Sequence, residues 1–138
     1  MRWATIVLLL ISGSAFAQAP KYSAKELTAW NKVQYELTQC AAVWYRLKDC
    51  APESARPEEV RQTEQTADHF LELAIGVGTE IGMTPDAMSS RAKMLREDQT
   101  KLIEGKCINF SSLAARYITR CKALGEHPEA TFQEYMNR

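Results

Sequence analysis

Apolar residues recur along this chain at intervals of three and four, and valine, isoleucine and threonine nowhere alternate with polar residues over a strand's length. That period predicts an all-α protein. The first helix opens at Ser23, where Ser23-Ala24-Lys25-Glu26 is a capping box. Its hydroxyl and carboxylate each satisfy a backbone N–H that has no partner inside the helix. The inward line is Leu27, Trp30, Leu37, Ala41 and Trp44, flanked by Val33 and Leu47. The helix should stop near Cys50, because Pro52 disfavours helical geometry at Ala51. A short connector, residues 51–56, follows.

Pro57 suits the first turn of a second helix, with Glu58 and Glu59 beside it favouring the positive end of the helix dipole. Val60, Thr63, Ala67, Phe70 or Leu71, Ala74, Val77 and Ile81 line one face. Ala74, Gly78 and Gly82 recur every four residues. They form a smooth stripe for close packing, or a groove for a ligand or partner. Thr84-Pro85-Asp86 starts a third helix with Met88, Ala92, Leu95, Leu102 and Ile103 inward, and Gly105 is placed as its left-handed cap. A fourth helix runs from about Asn109 to Leu124 with Gly125 just past its end, and a short fifth fits residues 128–136. Short connections between amphipathic helices favour antiparallel neighbours. The expected fold is therefore an antiparallel up-down four-helix bundle with a short C-terminal helix.

The N-terminus changes this picture. Arg2, an apolar run over residues 3–11, Ser12-Gly13-Ser14 and Ala15-Phe16-Ala17 follow the three-part pattern of a secretory signal peptide, residues 1–17, cut between Ala17 and Gln18. The apolar run is shorter than the roughly 20 residues that a membrane span needs, and no later run reaches that length. No cysteine adjoins the cleavage site, so a lipid anchor is not expected. The remaining residues, 18–138, are the right length for a single domain, periplasmic or secreted. Seventeen basic residues balance seventeen acidic ones, and losing Arg2 tips the sum by one charge. Nucleic acid and anionic lipid select basic patches, so neither is expected as a partner.

Four cysteines in an exported chain read as two disulfides. Zinc sites pair ligands two to four residues apart, and Cys40, Cys50, Cys107 and Cys121 contain no such pair. Ten helical residues rise about 15 Å, whereas a disulfide needs Cα atoms within about 7 Å. Cys40 therefore does not pair with Cys50, nor Cys107 with Cys121. Because the first and fourth helices of an up-down bundle are antiparallel neighbours, Cys40 should meet Cys121 and Cys50 should meet Cys107. Each bridge closes a long loop, for about 4 kcal/mol in the chain-entropy account, less than additive for a nested pair.

Reactive chemistry is sparse. His69 and Glu72 reverse the Glu-x-x-His order of di-metal bundles. They are the weak candidates for a metal- or haem-binding alternative, with Met83, Met88 and Met94 as thioether sources. Ser89-Ser90 and Ser111-Ser112 lack a nucleophile elbow, and no phosphate-binding glycine loop occurs. No catalytic residue, metal or cofactor is assigned. Tyr35 and Tyr45 project off the core line, either to anchor an interface or to pack beneath Phe132 and Tyr135. The functional expectation is a non-catalytic exported or envelope-associated module that binds a protein partner.

Overall fold

The computed structural model describes residues 20–138; the signal-peptide reading falls outside them. Five helices follow in order: α1 (Ala24–Asp49), α2 (Pro57–Glu80), α3 (Pro85–Leu102), α4 (Phe110–Glu126) and α5 (Pro128–Met136), with a 3-10 turn at Cys107–Asn109. No described helix is long and apolar enough to cross a membrane. The capping box forms as drawn from the sequence: the Glu26 N–H donates to Ser23 Oγ at 3.2 Å and the Ser23 N–H donates to Glu26 Oε2 at 2.8 Å. Thr84 caps α3 through the Ala87 N–H at 3.2 Å.

The organising element is α1, a 26-residue helix against which each of the other four packs. Contact register gives every direction. Lys48 meets Glu64 and Tyr45 meets Asp68, so α2 runs antiparallel to α1. Arg91 reaches Asn31 and Gln34 while the Gln99 amide donates to the Gln39 carbonyl, so α3 runs parallel to it. Cys40 bridges Cys121 and Cys50 bridges Cys107, with Cα atoms 5.5 and 5.2 Å apart, so α4 returns antiparallel. The chain is thus a disulfide-stapled, up-down helical bundle. Its main core gathers Val33, Leu37, Ala41, Phe70, Ala74 and Leu124 around the Cys40–Cys121 bridge. A smaller cluster of Val43, Ile103 and Leu113 lies nearer the second bridge.

Three positions depart from the sequence reading. Leu27 and Leu102 are 38% and 48% exposed. Each sits in the first or last turn of its helix, and the neighbouring elements meet adjacent residues instead: Glu80 of α2 reaches Tyr22, and Ile103 rather than Leu102 packs with Val43 and Leu113. Gly125 lies inside α4 rather than beyond it. A Cβ there would stand 2.9 Å from Phe70 Cζ, so the glycine admits the buried ring. The left-handed residues after α3 are Glu104 at φ 52° as well as Gly105 at φ 67°. Along the small-residue stripe, Ala74 and Gly78 are buried, whereas Gly82 leaves the helix at φ 79° and the Met83 N–H bonds the Gly78 carbonyl at 2.8 Å. The stripe therefore ends in a helix-terminating turn.

Two predictions follow from this packing. Gly76 has open space where a Cβ would go, so Gly76→Ala should raise stability by about 0.5–1 kcal/mol. Gly125→Ala should lower it, because overpacking a buried ring costs about 1–3 kcal/mol. Urea midpoints moving in the same direction would contradict the packing. The bridges should also differ in reactivity: Cys40 and Cys121 are buried, while Cys107 is exposed and Cys50 half-buried. Mild reduction without denaturant, followed by alkylation and peptide mapping, should label Cys50 and Cys107 first; labelling of all four at one rate is the contrary result.

Candidate functional site

Because α2 and α3 both pack on α1, they diverge from each other beyond the turn that joins them. They touch near that turn, where the missing side chain of Gly78 makes room for Met88: a Cβ would lie 2.4 Å from Met88 Sδ. Alongside this contact a groove of about 450 Å³ opens, with Leu71, Ala74, Ile75 and Thr79 on one wall and Pro85, Met88, Ser89 and Ala92 on the other. Gln34 and Thr38 of α1 make the floor. A recess of about 90 Å³ continues it past Ala41 and Ala42 to Tyr45 and Arg96. A wider depression of about 620 Å³ along Ser89, Lys93, Glu97 and Lys101 is lined by α3 alone and has no second wall.

The floor carries the unusual chemistry. Gln34 is 1% exposed, although amides rarely occupy such positions without partners on both ends. Arg91 Nη1 donates to its Oε1 at 2.5 Å and Arg91 Nη2 donates to Asn31 Oδ1 at 3.0 Å. The Arg91 guanidinium also lies 5.9 Å from the Tyr35 ring centroid. Thr38 turns its hydroxyl back to the Gln34 carbonyl at 2.9 Å, so it offers the groove no donor. At the far end the Tyr45 hydroxyl donates to Asp68. Burial, then that carboxylate acceptor, push the Tyr45 phenol up to about 12. The environment stabilises the neutral phenol and does not prime it as a nucleophile or base.

On the opposite side of α1 the groove's counterpart is closed. Arg120 of α4 pairs with Glu36 at 2.8 Å and with Glu134 of α5 at 2.8 Å, while the Tyr135 hydroxyl donates to Glu36. Arg120 holds the Glu134 carboxyl below its ordinary range, and burial followed by the Glu36 acceptor raises the Tyr135 phenol. Trp30 stacks on Phe132 with centroids 4.3 Å apart. These contacts fasten α5 down.

Compared with protein-family models, with curated proteins and with solved structures, the chain matches none. The assignment of function therefore rests on its own side chains.

Tyr35 and Tyr45 do not form one surface. Tyr35 borders a shallow depression with Lys32, Glu36 and Tyr135, while Tyr45 ends the groove recess and is tied to Asp68. His69 and Glu72 are both exposed on α2. Among the described residues no three histidine, cysteine, aspartate or glutamate side chains converge as a metal-ligand set. Gln34 is the residue that reading apolar spacing alone passes over. A signal for it exists: Trp30, Gln34, Leu37, Ala41 and Trp44 keep an unbroken four-three alternation, so a glutamine stands in the core register. Gln99 stands likewise between Leu95 and Leu102. Its Oε1, with Trp44 Nε1, is sealed without a partner among the described residues.

The Tyr45 contact yields a pH prediction. Its folded pKa of about 12 lies above the unfolded value near 10. The contribution is complete below about pH 10 and is lost as the pH rises through the folded value. Across that interval the wild type should lose stability more steeply than Tyr45→Phe in urea titrations followed by circular dichroism; parallel curves would show that the phenol plays no such part.

Proposed function

We propose that this protein is an exported, non-catalytic binding module of the envelope or extracellular space, and that the groove between α2 and α3 is where it binds. The observation that carries this reading is the groove itself. Apolar walls enclose a buried polar floor on a frame held by two disulfides. Ligand sites are generally mostly apolar clefts of about 300–1,000 Å³ with a few placed polar groups. Disulfides also agree with an oxidising compartment, to which the N-terminal sequence pattern independently points. Ile75, 45% exposed on the rim, presents an apolar contact for a partner that enters the groove.

Site-specific photocrosslinking in the producing cell tests both halves of the reading. The exported form should begin at Gln18. A crosslinker at Ile75 or Ser89 should trap a common adduct that one at Lys25, away from the groove, does not. Adducts of equal yield from all three positions, or none from any, would reject the groove as the binding surface.

A further inference from the structure

We propose that the groove binds one unbranched fatty acid, with its carboxylate at Gln34 and its hydrocarbon chain laid along α1 toward Tyr45. This rests on the groove being the binding site and adds the chemistry of what enters it.

The head-group end is defined by a donor without an acceptor. Gln34 Oε1 is taken by Arg91, which fixes the amide so that Nε2 faces α2, 3.5 Å from where a Gly78 Cβ would stand. No described residue accepts a hydrogen bond from Nε2. It is not one of the unpartnered side-chain atoms sealed from solvent, because the groove reaches it. A nearly buried donor in this state favours any ligand that brings an acceptor.

Arg91 decides the sign of that acceptor. Its guanidinium contacts Gln34, the Asn31 side chain and carbonyl oxygen, Met83 Sδ and the Tyr35 ring, all neutral. The described ion pairs do not include it. Donating into Oε1, it polarises the amide and makes Nε2–H the stronger donor, so a carboxylate is preferred to a neutral oxygen. This recognises one head group through one buried pair and requires no basic surface patch.

The lining selects the tail. From Gln34 to Tyr45 α1 rises roughly 16 Å. Leu71, Ala74, Ile75, Met88 and Ala92 offer the groove hydrocarbon and no hydrogen-bonding side-chain group. An unbranched hydrocarbon chain leaves nothing unpaired there, whereas a peptide would bring backbone N–H and C=O groups short of partners. Tyr45, tied to Asp68, and Arg96 stand at the far end and limit its length.

Isothermal titration calorimetry of the disulfide-bonded protein with laurate, with dodecanol as the neutral-head control, tests the proposal. One laurate should bind per chain, with dodecanol about tenfold weaker, the worth of one charge-assisted hydrogen bond. Gln34→Glu, which keeps an acceptor for Arg91 but puts an oxygen in place of the Nε2 donor, should abolish or reverse that difference. Ile75→Asp, on the exposed rim where the fold tolerates it, should weaken laurate by at least about tenfold while circular dichroism stays unchanged. Absence of laurate binding, equal affinity for laurate and dodecanol, or indifference to both substitutions would overturn it. If laurate fails while crosslinks from Ile75 still trap a specific protein, the fatty acid is wrong and the binding-module reading survives. If both fail, both fall.

Discussion

Most of the packing between helices in this bundle passes through α1. Its buried set, from Ala29 and Val33 through Cys40, Ala41, Ala42 and Val43, spreads over more of the helix circumference than a single apolar stripe covers. Small residues on that surface let neighbours approach from several sides. The Cys40–Cys121 and Cys50–Cys107 bridges then fix α4 against it at two levels. A helix so held cannot tilt or slide to improve one contact without straining another. The remaining helices arrange themselves around it as a fixed post.

That arrangement explains why the molecule is closed on one side and open on the other. Toward α4 and α5, the Trp30–Phe132 stack and the Glu36–Arg120–Glu134 ion pairs draw the chain tight. Toward α2 and α3, each helix satisfies its apolar face on α1, and neither needs the other. Short side chains at Ala74 and Ala92 leave the space between them unfilled. The groove is therefore a consequence of three helices sharing one central partner.

Polar residues in the core register carry the chemistry of that space. A glutamine among Trp30, Leu37 and Ala41 costs stability unless both ends of its amide are paired. Arg91 supplies one partner and leaves the other end facing the groove. Gln99 solves the same problem differently, donating to the Gln39 carbonyl at 3.0 Å. Two chemically identical side chains in equivalent registers thus end with opposite free groups, a donor at Gln34 and an acceptor at Gln99.

Local signals in the sequence determined the helices and their order. Ser23 with Glu26, Pro57 and Thr84-Pro85 act through backbone groups within a few residues, so their effects are readable without the fold. Helix rise likewise restricted the cysteines to cross-helix pairs, the pairs the structure contains. Only tertiary structure decided that Gly125 admits Phe70, that Leu27 and Leu102 stay exposed while residues beside them are covered, and that Tyr35 and Tyr45 belong to separate surfaces. It alone also gave Gln34 its half-satisfied amide. Those outcomes depend on the distance and angle between helices far apart in the chain. Apolar spacing reports which face of a helix turns inward, but not what meets it there.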